Sequence, residues 1–447
     1  SKKTLSLNRK QFLTWKGNTL SSSWVHRKPK TVSSTRSRKA NHYATKLEKA
    51  MKKAYIVEAK RTPVGKARGC LSKIRADDLL VHAIQSVLTA SDESQEINNN
   101  IDDIIVGCAM PEGPQGLNVA RIATLLAGLP DSTPAYTLNR FCSSGLQSVA
   151  NAADLVKSGS ADLVIAAGVE SMSSVPMTGF KPSVNPKVLE DENIAIAYGM
   201  GLTAEKVVQK YSISRDEQDE FAFNSHQKAI LANKDGLFTN EISPITTVET
   251  GYSLDSKEYT TSTNVVSKDE GPREDTSIEI LGKLRTVFAQ DGSVTAGNSS
   301  QMSDGAAAVL IASEEALKKY NLNPKAEFLG FSVAGVPAEI MGIGPVKAVP
   351  KVLTSVGLSI DDIGWIELNE AFAAQSLAVI KELGLDSEKV NPLGGAIALG
   401  HPLGATGSIR TATILSAMKR DNIDYGMITM CIGTGMGAAG IIKNIKN

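Results

Sequence analysis

Ile101-Asp-Asp-Ile-Ile-Val-Gly107 reads as a short buried strand, and its first four residues return at Ile360-Asp-Asp-Ile363. Cys142 lies forty residues after Asp102, and His401 lies forty residues after Asp361. Each is followed by a helical pattern rich in small residues and then by another apolar run. The chain therefore reads as two similar halves, with Cys142 and His401 expected at equivalent strand-to-helix corners.

Working outward, Ala161-Asp-Leu-Val-Ile-Ala-Ala-Gly168, Trp365-Ile-Glu-Leu368 and Tyr425-Gly-Met-Ile-Thr-Met430 also read as buried strands. Residues 145–157 and 407–419 read as helices that follow Gly-rich turns. Strands alternating with helices imply α/β layers. Residues 173–300 differ: they are polar, and Ser214-Arg-Asp-Glu217 marks a capped helix start. They read as an insertion with its own loops.

The composition narrows the function. Of 447 residues, 42% are hydrophobic and 21% charged, with net charge +1, which is ordinary for a globular protein and gives no sign of a nucleic-acid partner. Four cysteines without CxxC spacing exclude a disulfide-stapled scaffold and the common zinc pattern. No run of ~18 apolar residues predicts a membrane span. The charge is uneven, however. Residues 1–50 carry thirteen Lys or Arg against Glu48 alone, with fourteen Ser or Thr, leaving about −11 for the remainder. This basic extension is expected to be disordered. It reads as a transit-type peptide, which would direct the protein to the mitochondrial matrix, as sequence upstream of a start at Met51, or, a distant third, as a basic RNA-binding arm. A start at Met51, with a cytoplasmic protein, is the expectation.

Three histidines lie outside this extension. His82 and His226 sit in helical patterns and read as structural. His401 stands in Gly394-Gly-Ala-Ile-Ala-Leu-Gly-His-Pro-Leu-Gly-Ala-Thr-Gly407, where small neighbours let a ligand approach closely. Cys142, in Asn139-Arg-Phe-Cys-Ser-Ser-Gly145, opens a helix, where the dipole favours a thiolate and backbone N–H groups can bind an oxyanion. Cys431 precedes another tight turn, Ile432-Gly-Thr-Gly-Met-Gly437. Cys70 and Cys108 read as structural. Gly435-Met-Gly-Ala-Ala-Gly440 matches a dinucleotide fingerprint literally, but only seven residues follow, too few for the helix and second strand such a site needs. No P-loop or metal-ligand spacing occurs.

Taken together, Asn139–Gly145, Asn369-Glu-Ala-Phe-Ala373, Gly394–Pro402 and Cys431–Gly437 closely resemble the signature blocks of thiolases. Thr295-Ala-Gly-Asn-Ser-Ser300 and Met341-Gly-Ile-Gly-Pro345 fit as well, so the resemblance spans about 53–445. Met341–Pro345, Asn391-Pro-Leu-Gly-Gly395, Thr434, and Gly199-Met-Gly where biosynthetic members carry His-Met-Gly, look most like the degradative 3-ketoacyl-CoA thiolases. Phe141 stands where many of these have Gln.

The resemblance implies a five-layered α-β-α-β-α core from two similar halves with an inserted loop domain. Its expected organisation is a basic extension (1–50), an N-terminal domain (51–172 with 301–323), a loop domain (173–300) and a C-terminal domain (324–447). It further implies that Cys142 attacks a 3-ketoacyl-CoA while His401 takes its proton, and that Cys431 protonates the acetyl-CoA enolate and later deprotonates the incoming CoA. His401 and a water held by Asn369 would steady the enolate oxygen. The N–H groups of Cys142 and Gly433 would receive the thioester oxyanion. By the same resemblance Arg273 would lie near the adenine nucleotide of CoA, and Ala296 and Ser300 along its pantetheine. CoA is then a substrate, with no tightly bound cofactor and no metal. A homodimer is expected, with a tetramer as alternative, and a multifunctional β-oxidation partner is a further expectation. Two rival readings are a biosynthetic acetoacetyl-CoA thiolase and a non-catalytic acyl-CoA-binding homologue.

Overall fold

In a computed structural model, residues 52–92, 95–195, 199–253 and 257–446 are described. The basic extension lies outside them. Twelve strands are present among the described residues: β1 Tyr55–Arg61, β2 Gly65–Lys66, β3 Asp103–Gly107, β4 Ala135–Leu138, β5 Leu163–Ser171, β6 Ile245–Ser253, β7 Glu258–Val266, β8 Ser303–Ala312, β9 Ala326–Gly335, β10 Trp365–Leu368, β11 Tyr425–Ile432 and β12 Met436–Asn444. β6 and β7 form a separate hairpin. The others run in the order β10-β11-β12-β9-β1-β8-β5-β3-β4, with β2 beside β8. The two halves of this sheet meet only at Tyr55↔Glu327 and Ile56↔Ala326.

Five layers follow from which face each strand residue buries. β5 is buried along its whole length, as a strand covered on both sides must be. Its alternate residues divide between two cores: Leu163, Ile165 and Ala167 pack outward with Leu79, Leu80 and Ile84 of the Ala76–Asp92 helix, whereas Val164 and Ala166 pack inward with Leu146 and Val149. The inner core also holds Ile414, Met418, Ile428 and Met430 from the other half, so the Ser144–Ser158 and Thr406–Arg420 helices form a shared central layer. The third core, with Val349, Val352 and Leu353 against Met427 and Ile441, covers the far side of the second half.

The halves are true structural repeats. Ile104 pairs in parallel with Ile165, and Ile366 with Met427, each partner 262 residues on. The two fifteen-residue central helices keep the same offset. The repeated Ile-Asp-Asp-Ile, offset by 259, is therefore three residues out of structural register. Its two copies do different jobs. In the first copy the second residue, Asp102, accepts the N–H groups of Asp162 and Leu163, whereas in the second copy the third residue, Asp362, accepts the N–H and hydroxyl of Ser359. The expected equivalence is corrected accordingly: Cys142 and His401 share the same kind of corner, but Cys142 matches Gly404 and His401 matches Asn139.

Between β5 and β8 lie the Met200–Tyr211 and Arg215–Lys234 helices, the β6–β7 hairpin and the short Ile278–Gly282 helix. The expected cap is present in full, with Ser214 and Glu217 satisfying each other's backbone N–H groups. Buried Arg61 ties this segment to β1. Its guanidinium donates to Glu241 Oε1 at 2.6 Å and to both oxygens of Asp269 at 2.7 and 2.9 Å. Among the described residues no helix is long and apolar enough to cross a membrane.

Candidate active site

Cys142 sits in the Phe141–Ser143 turn that runs directly into the Ser144–Ser158 helix. The turn is locked by its own side chains: Asn139 Oδ1 accepts the N–H of Phe141, and Ser144 Oγ bridges the N–H of Arg140 and the carbonyl of Phe141. It also holds Phe141 at φ +45°, a left-handed conformation costly for a bulky side chain and typical of functional turns. Gly433 and Thr434 form the opposing turn between β11 and β12, with Thr434 at φ +67° and Gly435 at +91°.

The thiol of Cys142 is half-buried. Burial pushes its pKa up to about 11, while the backbone N–H groups of Gly433 and of Cys142 itself pull it down. Both donors thus face the sulfur. The helix start does not win over desolvation, so the resting group is a thiol rather than the thiolate expected from the sequence. Cys431 is fully buried, and lies within β11, one residue from its end, rather than after it. Burial and then the nearby charge of Cys142 push its thiol upward. Ala204, Val294, Met341, Ala371 and Phe372 surround it.

His401 is buried, and its backbone N–H is held by Ser303 Oγ at 3.1 Å. Nδ1 lies 2.6 Å from Thr406 Oγ1, and the Thr406 hydroxyl reaches the carbonyl of Pro402 at 3.0 Å. A threonine hydroxyl has one proton, so if it donates to Pro402 it can only accept from His401 Nδ1. That fixes the tautomer: Nδ1 carries the proton, and Nε2, 3.3 Å from Asn369 Nδ2, is the basic nitrogen. Burial first, and then the charge of Arg410, lowers the imidazole pKa to about 3. The ring is neutral at physiological pH. Asn369 Oδ1, on the same carboxamide, is buried with no partner among the described residues.

Packing joins these groups. The Cys142 turn touches both β11 and the Leu403–Ala405 turn after His401. Buried Glu170 fastens the same region, accepting N–H bonds from Ala109 and Gly404, each at 2.8 Å. The coenzyme candidates are spread more widely. Ser300 donates its N–H to the Ala371 carbonyl, and the carbonyl of Gln301, the next residue, accepts from His401 N–H, so Ser300 borders the site. Ala296 is exposed at the crest of the turn closed by Thr295 and Asn298. Arg273 lies on the surface, its side chain paired with Asp275 at 3.0 Å. No hydrogen bond or ion pair joins it to Cys142, His401 or Cys431 among the described residues.

The sequence does not single out Thr406, Glu170 or the residue after Asn369, Glu370, which is buried and accepts from Asn391 Nδ2 at 2.8 Å. Thr406 had a readable signal, as a hydroxyl one helical turn beyond His401-Pro402. The two glutamates lacked one, because acids beside strand ends are ordinarily solvated.

Comparison with known proteins agrees with this geometry. Residues 54–315 match the model of the thiolase N-terminal domain, and residues 322–444 that of the thiolase C-terminal domain. A 3-ketoacyl-CoA thiolase from Bacillus subtilis is 50% identical over 394 residues, covering 88% of this chain and all of the relative. The crystal structure of human mitochondrial 3-ketoacyl-CoA thiolase in complex with CoA superposes with TM-score 0.78 at 38% identity, over 88% of this chain and 98% of that one. The dimeric peroxisomal thiolase of Saccharomyces cerevisiae gives TM-score 0.78 at 41% identity, with the same coverage.

Proposed function

The chain belongs to the thiolase family of acyltransferases, and from that premise we propose that it cleaves 3-ketoacyl-CoA with CoA, releasing acetyl-CoA and an acyl-CoA two carbons shorter, as a step of fatty-acid β-oxidation. The observation that carries this reading is Cys142, half-buried with two backbone N–H groups against its sulfur and a second cysteine beside it.

With Cys142 near 11 and His401 near 3, the resting pair is a neutral thiol and a neutral imidazole. Proton transfer to Nε2 therefore accompanies attack on the 3-keto carbon rather than preceding it. His401, now protonated on both nitrogens, donates from Nε2 to the oxygen of the departing acetyl-CoA enolate, assisted by a water on the Asn369 side chain. As the C2–C3 bond breaks, Cys431 protonates C2 and acetyl-CoA leaves, with the acyl group on Cys142. Cys431 thiolate then takes the thiol proton of a second CoA, whose sulfur attacks the thioester. The N–H groups of Cys142 and Gly433 receive that oxyanion, each donor being worth roughly 3 kcal/mol of barrier. Loss of the oxyanion expels Cys142 sulfur, which recovers its proton from His401.

CoA acts as substrate, with no tightly bound cofactor, and the yeast relative supports a homodimer. The test is thiolysis of 3-ketoacyl-CoA substrates from C4 to C16, followed by loss of the enolate–magnesium absorbance on adding CoA. Turnover extending to long chains, abolished by Cys142→Ala, is expected. Turnover confined to C4 would instead indicate acetoacetyl-CoA metabolism. No turnover at any length would indicate a non-catalytic homologue.

A further inference from the structure

The Arg215–Lys234 helix of the insertion buries an unusual face. Between Ala222, Ala229 and Ala232 it places Gln218, Asp219, Ser225 and His226 out of solvent. Burying polar groups costs free energy unless they find partners, and here loops around the active site supply partners to all four residues. Gln218 donates to Ser293 Oγ at 2.9 Å, and Asp219 accepts from Asn298 Nδ2 at 2.9 Å, which clamps both sides of Ala296. One helical repeat later the pattern recurs, because seven residues return to nearly the same face. Ser225 Oγ donates to Glu370 Oε2 at 2.7 Å and accepts the N–H of Gly395 at 3.0 Å. His226 Nδ1 accepts the N–H of Arg273 at 3.2 Å.

Ser225 and His226 thus look to different loops. Glu370 is the residue after Asn369, and it also receives Asn391 Nδ2 at 2.8 Å and the N–H of Ile397 at 3.2 Å. Gly395 begins the segment that ends at His401. The Ser225 hydroxyl therefore joins the strand end that carries Asn369 to the loop that carries His401. A side chain at Gly395 would meet the Glu370 carboxylate at 2.0 Å, so the joint is closed tightly. Among the described residues, the hydrogen bond of the His226 side chain goes to the Arg273 loop alone. Burial keeps its ring neutral, near 4, and a neutral Nδ1 can accept that N–H.

We propose that Ser225 and His226, neighbours on one helix of the insertion, are positioning residues with separate tasks: Ser225 sets Asn369 against His401 for the chemical step, and His226 sets the Arg273 loop for CoA. The inference rests on the thiolase reading above. It makes the insertion a frame that aligns catalytic and coenzyme loops from one rigid element, in which neither residue touches substrate.

The experiment compares full-length wild type with Ser225→Ala, His226→Ala and His226→Asn, measuring kcat, KM for CoA and CoA affinity by calorimetry, with thermal unfolding as a check of fold. Stranding a buried donor is worth about a tenfold change in whichever parameter the loop controls. Ser225→Ala is expected to lower kcat about tenfold with KM for CoA within about twofold. His226→Ala is expected to raise KM and Kd for CoA about tenfold with kcat within about twofold. His226→Asn, whose side-chain oxygen replaces Nδ1, should restore most of the loss. Variants that shift both parameters in parallel, or a folded His226→Ala with unchanged CoA affinity, would overturn this division of tasks while leaving the thiolase reading standing. A wild type that neither turns over nor binds CoA would overturn both.

Discussion

At the scale of single residues, competing physical effects decide the state of the nucleophile, and their relative size matters more than their presence. A helix start and two N–H groups favour the Cys142 thiolate, yet burial is the larger effect and leaves the pKa near 11. His401, held near 3, cannot supply a ready-made imidazolium to offset it. The free enzyme should therefore show no plateau of thiolate at neutral pH. Alkylation of Cys142 by iodoacetamide, followed by mass spectrometry of its peptide, is expected to rise about tenfold per pH unit from pH 6 to 9, as the thiolate fraction of such a group must. A rate already level below pH 8 would mean a preformed thiolate–imidazolium pair. The reactive residues themselves were legible. Cys142, His401 and Cys431 each stand in or next to a Gly-rich turn whose small residues let a ligand approach closely. Thr406 was harder to see, because a threonine at a helix start is usually a cap. The 2.6 Å contact to Nδ1 shows that here it serves the imidazole.

At the scale of elements, the site exists because two helices from opposite halves approach at their N-termini to backbone contact. Gly145 and Gly407 occupy equivalent positions in the two repeats, and each faces the other's helix. A Cβ on Gly407 would lie 2.0 Å from the Leu146 nitrogen, and one on Gly145 would lie 2.8 Å from the Ser408 nitrogen. Backbone cannot yield as a side-chain tip can. Gly407→Ala is accordingly expected to cost about 3 kcal/mol in urea unfolding, at the upper end for overpacking, and to lower kcat at least about a hundredfold by parting Cys142 from His401. Gly384→Ala is the control. Its φ of +60° is strained for alanine but nothing lies within 4 Å, so about 1 kcal/mol and full activity are expected. Equal effects of the two substitutions would show that the helix contact is not critical. The strands and both helices were legible from apolar runs and Gly-rich turns. The register of the repeat was not. A matched tetrapeptide marks only local sequence, and its two copies cap different segments. The correct offset emerges only from strand pairing, Ile104 with Ile165 and Ile366 with Met427.

At the scale of the whole molecule, the insertion is joined to the core by charge as well as by apolar packing, and nothing local in the sequence announces it. Arg61 ends β1 in Lys60-Arg61-Thr62, and charged residues at a strand end are ordinarily solvated. Its partners Glu241 and Asp269 lie 180 and 208 residues away. All three are buried, and the Thr413 hydroxyl donates to Glu241 at 2.8 Å, so the network also reaches the central Thr406–Arg420 helix. Such a network adds little net stability over an apolar equivalent, but removing one member leaves charges stranded. Arg61→Met should cost about 3–5 kcal/mol at pH 7 in chemical unfolding. The pH dependence then discriminates the cause. Burial already raises the Glu241 pKa with Arg61 in place, and losing the guanidinium must raise it further. A carboxyl whose folded pKa lies above its unfolded value binds more protons in the folded state, so its contribution to stability falls as pH rises through that window. The deficit of Arg61→Met relative to wild type should therefore shrink as pH is lowered, because protonation of Glu241 relieves the stranded charge. A deficit independent of pH would assign the loss to the packing of the Arg61 side chain, which lies over the Phe238 ring at 5.3 Å, rather than to its charge.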